Sequence, residues 1–396
     1  VTRPWTALAA TLLVQTTVTA SLVAASVLAP AVAPQLGIAP ERIGLYAAIA
    51  YGAAMLAGLR AGHGVVRWGA LPLSQLALGC AAAGALLGAL APPAALPGAA
   101  VLIGIGYGLV NPAAAAVLGH HAPVKARGLF FSIKQTGVPI GVALAGLAMP
   151  AGLALIGWRS SVAALAAACV LLAIALWPLT RRLEPPPSAA PEGGSWMLLR
   201  EVWRTPALRR LSLASLAYAW TQQTFVTFLV SLLTLSLQWP LAAAAGLLAA
   251  SQVVATAARI GFGALADRMA PTALLRALGL GMSAACVALA WLRPGMPSAL
   301  VWIAALAGAA TAMGWNGVFF AELSRRVPRE ALARVSGATQ FFTFAGGMLG
   351  PLTFGEALRA GASYPLAWGL LALVPAAAAW RLRSNGPARR SHGEEG

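Results

Sequence analysis

Apolar runs of about the length of a membrane-crossing helix recur along the whole chain, separated by short breaks. A hydrocarbon core of about 30 Å needs roughly 20 helical residues. The pattern predicts spans at 6–29, 43–61, 71–91, 97–118, 129–150, 158–180, 208–237, 241–263, 272–292, 297–320, 332–357 and 364–383. Prolines punctuate the breaks, among them Pro30, Pro34, Pro40, Pro92, Pro93, Pro97, Pro240, Pro294 and Pro297. In lipid each segment must satisfy its own backbone hydrogen bonds, which selects helices. The predicted fold class is therefore an all-α membrane protein of twelve transmembrane helices. The first run carries Gln15, Thr16, Thr17 and Thr19 and is too long for a signal peptide, so it is read as a retained span.

Composition agrees. Of 396 residues, 59% are hydrophobic and 9% charged, against about 25% charged in an average soluble protein. A soluble enzyme and a disordered chain are both excluded. The net charge of +17 would point to nucleic acid in a soluble protein, but its placement gives another reading. With the N-terminus inside, 22 of the 27 basic residues fall in cytoplasmic segments or at span ends next to them. Only Arg42, Arg159, Arg293 and Arg359 fall outside, and Lys134 lies within a span. This asymmetry predicts both termini in the cytoplasm. Trp5, Trp68 and Trp380 fall near one interface and Trp158, Trp239 and Trp291 near the other, as an aromatic belt requires. Arginine outnumbers lysine heavily and alanine and glycine abound, which reads as a bacterial inner-membrane protein. Nucleic acid is not an expected partner. Cys80, Cys169 and Cys286 sit inside apolar runs, so no disulfide framework, metal site or cofactor is expected.

The longest connection, 181–207, separates six spans from six. The expected organisation is a first half over 1–180, a linker over 181–207, a second half over 208–383 and a cytoplasmic tail over 384–396. The linker opens with Arg181-Arg182 and runs through Pro185-Pro-Pro187 and Gly193-Gly194. Trp196, Leu198, Leu199, Val202 and Trp203 then alternate with Arg200, Glu201 and Arg204. That stretch fits a short amphipathic helix on the membrane surface or a solvated linker.

The halves repeat each other. Gln15-Thr-Thr-Val-Thr19 recurs as Gln223-Thr-Phe-Val-Thr227, and Asn111 recurs as Asn316. Gly128, Gly137, Gly141 and Gly146 recur as Gly337, Gly346, Gly350 and Gly355, and Gly62 and Arg67 as Gly263 and Arg268. Parallel six-helix repeats are a transporter architecture with the substrate site between the halves. The stretch after span 8, read as a short loop, is Gly263-Ala-Leu-Ala-Asp267-Arg268. It resembles the loop signature G-x-L-A-D-R-x-G-R-R of the major facilitator superfamily. Ala270 and Pro271 depart from it, and in the first-half copy Val66 replaces the acid. Gly337, Gly346 and Gly350-Pro351 in span 11 resemble the antiporter motif of that superfamily, which normally marks span 5. Span 5 keeps the glycines but has Val142 in place of the proline. The small-residue pairs are expected to pack the halves closely together. Gly104, Gly106 and Gly108 have no βαβ context and are read as packing residues too.

The resemblance implies that spans 1, 4, 7 and 10 line a central cavity. Gln15, Thr16 and Thr19 would then face Gln223, Thr224 and Thr227 across the pathway, beside Asn111, Asn316 and Trp315. Hydrogen bonding between helices is the alternative role for these amides. Tyr46, Tyr51 and Gln252 are further polar positions in the spans. Lys134, followed by Gln135 and Thr136, is either a cavity cation suited to an anion such as a carboxylate or a side chain that snorkels to the surface. Arg67, Arg259, Asp267, Arg268 and Glu322 are expected to form a cytoplasmic charge gate. No acid lies at mid-depth in any span, and no ATP-binding loop or catalytic constellation is present. The predicted activity is secondary transport of a small organic solute by a monomer, with protons as a candidate coupling ion. Efflux of drugs or metabolites by proton antiport, and a non-transporting sensor or scaffold, are the rivals.

Overall fold

The computed structural model describes residues 3–123, 126–185, 195–327 and 329–382, which form helices and contain no strand. In order these are α1 (Arg3–Val32), α2 (Ile43–Trp68), α3 (Ala70–Leu90), α4 (Leu96–His121), α5 (Arg127–Gln135), α6 (Gly137–Ile156) and α7 (Trp158–Leu183). There follow α8 (Ser195–Arg204), α9 (Pro206–Ser231), α10 (Leu241–Arg268), α11 (Pro271–Trp291), α12 (Ser298–Arg326), α13 (Arg329–Arg359), α14 (Tyr364–Leu371) and α15 (Leu373–Arg381). All twelve predicted spans are present. Span 5 is α5 with α6, span 12 is α14 with α15, and α9 continues into a π turn over Leu232–Ser236. Nine spans among the described residues are long and apolar enough to cross a bilayer by length and composition. The other three are α9, α13 and the α14–α15 pair.

Two stretches expected to be loops are helical. Gly62 to Trp68 forms the last turns of α2, and Gly263 to Arg268 those of α10. Neither stretch holds a proline, and isolated glycines do not stop a helix that still has neighbours to pack on. The turn between α2 and α3 is Gly69 alone, at φ 96°, and that between α6 and α7 is Gly157 alone, at φ 81°. Such left-handed geometry carries no steric cost for glycine, so consecutive spans can reverse through one residue.

Helices α1 to α7 pack among themselves, as do α9 to α15. The amphipathic segment of the linker is a helix, α8, that lies against α9 and α13. Its Leu199 and Val202 are buried and its Arg200 and Arg204 exposed. Trp203 stacks on Phe342 with ring centroids 6.1 Å apart. The middle of the linker (186–194), residues 124–125 and the tail from 383 onward lie outside the described residues.

The small-residue pairs act differently from expectation. Gly137 faces Leu12 and Gln15 of α1, and Gly141 faces Thr16 and Thr19. Gly346 and Gly350 face Leu216 and Trp220 of α9. These glycines thus draw helices together within each half rather than between the halves. Contact between the halves comes from Gly146 on Ala245 and Ala249, and from Gly44 on Pro351 and Gly355. Gly104 and Gly108 let α4 approach the backbone of α2 at Ala50 and Ala54, as their packing role requires.

The apolar cores show how the halves meet. At the face away from the termini one cluster joins both halves, through Val27, Ile43 and Met149 on one side and Phe228, Leu248 and Phe354 on the other. At the termini face the cores are separate. One is built on Leu8, Leu71, Leu118 and Phe130, the other on Leu211, Leu275, Phe319 and Leu323. The structure is therefore sealed at the face away from the termini, and among the described residues no buried cluster at the termini face draws on both halves, although Leu59 of α2 packs against the second-half cluster.

Candidate functional site

Span 5 breaks in mid-course for a local reason. Pro139 has no N–H to offer the carbonyl four residues before it, which is that of Gln135. The chain turns at Thr136, whose N–H and hydroxyl both donate to the Ile133 carbonyl, at 3.0 and 2.6 Å. The break leaves Lys134 and Gln135 on the last turn of α5, with the Gln135 carbonyl free to accept from elsewhere.

Lys134 is 2% exposed and does not snorkel to the surface. Its Nζ donates to Gln15 Oε1 of α1 at 2.7 Å and to Asn111 Oδ1 of α4 at 2.5 Å. Gln15 in turn donates through Nε2 to Thr19 Oγ1 at 3.1 Å. Spans 1, 4 and 5 are joined at one point by an ammonium whose partners are both neutral amide oxygens. A charged lysine at mid-helix costs about 2.5–3.5 kcal/mol on insertion scales, and neutral acceptors offset only part of this. Thr16 is buried, with its backbone against Gly141.

In the second half Gln222 of α9 faces α12. Its Oε1 accepts from Trp315 Nε1 at 2.9 Å and from Asn316 Nδ2 at 3.5 Å. The repeat of Gln15 as Gln223 does not single out Gln222, whose contact with Trp315 and Asn316 is seen only in the structure. The two glutamines are adjacent, and sequence offset alone does not say which faces α12. Gln223 turns the other way, and its Oε1 accepts from the Tyr51 hydroxyl of α2 at 2.7 Å. Tyr51 packs edge-on against Tyr107 at 5.9 Å, and Tyr107 against Phe344 of α13 at 6.1 Å. An amide and an aromatic cluster thus join the halves at mid-depth. Thr224 spends its hydroxyl on the Trp220 carbonyl of its own helix at 2.8 Å, and Thr227 is buried.

The expected gate residues do not gather. Arg67, Asp267 and Arg268 are exposed, and none makes an ion pair among the described residues. Arg67 lies 6.0 Å from the ring centroid of its neighbour Trp68. Glu322 is buried and pairs with Arg326 one turn on, and Arg326 also reaches Thr272 Oγ1 at 3.5 Å. Arg259 turns inward. Its Nε donates to the Met313 carbonyl of α12 at 3.1 Å, and a terminal nitrogen approaches the Gln135 carbonyl of the other half at 3.5 Å. No cluster of metal-ligating side chains occurs among the described residues.

Two bundles around a polar midplane, sealed at one face, define a carrier that works by alternating access. The Major Facilitator Superfamily profile matches residues 9–351, and the chain belongs to that superfamily. It is a multi-pass membrane transporter. No characterised protein matches it in sequence. Its fold is similar to that of a bacterial homologue of the human lysosomal transporter Spinster in an inward-facing, unoccupied conformation. That likeness has a TM-score of 0.75 at 19% identity, covering 96% of this chain and 95% of the other. It is also similar to a POT family transporter in complex with a thioalcohol-conjugated peptide, with a TM-score of 0.73 at 11% identity, covering 94% of each chain.

Proposed function

We propose that the chain carries a small organic anion, such as a carboxylate, across the bacterial inner membrane, with both termini in the cytoplasm and each chain acting as a monomer. The observation that supports this reading is Lys134, buried at the junction of three spans and, among the described residues, hydrogen-bonded to neutral oxygens. An ammonium so placed gains most from a ligand that brings negative charge. Gln15 and Asn111 hold it in position, and an entering carboxylate takes over one of its donors. Gln222 and Asn316 place amide groups on the other half, at the contact of α9 with α12.

On this reading the face without a shared core is the cytoplasmic one, and the positive-inside distribution of arginine supports that orientation. Uptake into proteoliposomes tests the proposal. Lys134→Ala removes uptake of carboxylates while leaving the amount of folded protein unchanged. An unchanged transport rate and affinity would contradict it. A second reading, efflux of an apolar drug or metabolite by proton antiport, draws on the aromatic cluster of Tyr51, Tyr107 and Phe344. It makes Lys134 dispensable and predicts stabilisation by dyes rather than by carboxylates.

A further inference from the structure

Arg259 is a second inward-facing cation, half-buried, whose hydrogen-bond partners among the described residues are neutral, and it stands on the opposite half from Lys134. Its two hydrogen-bonded partners are both backbone carbonyls, Met313 at 3.1 Å and Gln135 at 3.5 Å. The Gln135 carbonyl is free to accept because Pro139 supplies no N–H to it. That carbonyl belongs to the residue directly after Lys134. The Gln135 side chain adds a second signal, since its Oε1 is buried and finds no partner among the described residues.

The acids whose side chains are described all lie elsewhere. Glu184 accepts from the first amides of α3, and Glu322 and Glu356 are paired with Arg326 and Arg359. Glu41, in the short turn Pro40–Arg42 before α2, and Asp267, on the last turn of α10, stand near helix ends, and Glu201 lies on α8. A guanidinium has five donors in a planar fork that matches a carboxylate, and a 3.5 Å contact to a neutral carbonyl is a weak use of it.

We propose that Arg259 is the second cation of the binding site and that the transported solute carries two negative charges, one held by Lys134 and one by Arg259. The inference rests on the anion reading of Lys134. It also couples binding to motion, because the two cations belong to different halves. A dianion bridging them draws α5 and α10 together where the halves share no core, whereas a monoanion engages one half alone.

The test uses the purified full-length protein and its thermal stabilisation by malonate, succinate, glutarate and adipate, each compared with its monomethyl ester. Stabilisation grows with ligand concentration over the dissociation constant, so each series yields an affinity. At least one diacid is expected to bind tenfold or more tightly than its half-ester in the wild type. Arg259→Gln brings that ratio below twofold, and Arg259→Lys retains part of it. Half-esters that match their diacids in the wild type, or a ratio that survives in Arg259→Gln, would overturn the Arg259 assignment. So would a wild type stabilised by none of the diacids. The wild-type comparison needs no variant, so a misfolded mutant cannot mask the result. Lys134→Gln separates the two claims. Loss of all carboxylate binding in that variant, with half-esters equal to diacids in the wild type, removes Arg259 alone. Undiminished binding in Lys134→Gln would bring down the anion reading beneath it.

Discussion

The Nζ of Lys134 lies 2.7 Å from the Oε1 of Gln15, across the boundary between spans 5 and 1. Gly137 and Gly141 make this approach possible, since any side chain there would meet Leu12, Gln15 or Thr19. A hydrogen bond to a charged group contributes about 1.5–3 kcal/mol, although bonds between membrane helices average nearer 0.6 kcal/mol. A double-mutant cycle of Lys134→Met and Gln15→Leu, read from unfolding in detergent, should give a coupling of about 1 kcal/mol. Strictly additive effects would show that the contact carries no energy.

Pro139 sets both the break in span 5 and the partner of Arg259. Pro139→Ala restores the N–H that the Gln135 carbonyl lacks. The variant should unfold at a higher temperature, since a mid-helix proline costs about 3 kcal/mol. It should transport more slowly, because the helix then competes with Arg259 for that carbonyl. A variant with unchanged melting temperature and unchanged uptake would remove Pro139 from the account.

The sealed face depends on a close approach of α2 to α13. A Cβ at Gly44 would fall against the backbone of Pro351 and Gly355. Gly44→Val should therefore disfavour the sealed arrangement without unfolding either half, because it lies where the halves meet. Spin labels at Arg42 and Arg359, both exposed at this face, should report a longer distance in Gly44→Val than in the wild type. Identical distance distributions would contradict the prediction.

Glu184 closes the other end of the first half. Its carboxylate accepts from the amides of Ala70 and Leu71 at 2.5 and 2.9 Å, the first two amides of α3. An acid at a helix N-terminus satisfies orphan donors and meets the positive end of the helix dipole. Glu184→Ala should destabilise the protein by about 1–2 kcal/mol, visible as a lower melting temperature, and Glu184→Gln by less. Equal stability of all three would mean that water replaces the carboxylate at no cost.

The spans were legible in the sequence because a lipid core demands long apolar runs, a constraint that acts residue by residue. The α9 and α13 spans were read from the same pattern of apolar runs, at 208–237 and 332–357. The helical ends at Gly62 to Trp68 and Gly263 to Arg268 were not foreseen, because a charged motif reads as a loop unless its packing is known. The meeting of Lys134, Gln15 and Asn111 was only half legible. Their residue types marked them, but three spans far apart in sequence had to be placed before the contact existed. Gln222 carries no mark of its own beside Gln223, since one residue turns a helix by about 100° and adjacent positions lie on different faces. Arg259 had been grouped with Asp267 by proximity along the chain, whereas its contacts are to Met313 and Gln135.

The central claim is that Lys134 binds the negative charge of the solute. Its most direct test is equilibrium binding of carboxylates to purified protein, comparing the wild type with Lys134→Met and Lys134→Arg. The account predicts that Lys134→Met loses carboxylate binding by a hundredfold or more, a change of about 2.7 kcal/mol, while Lys134→Arg keeps a measurable part. Equal affinity in the wild type and Lys134→Met, with the variant folded, would contradict it.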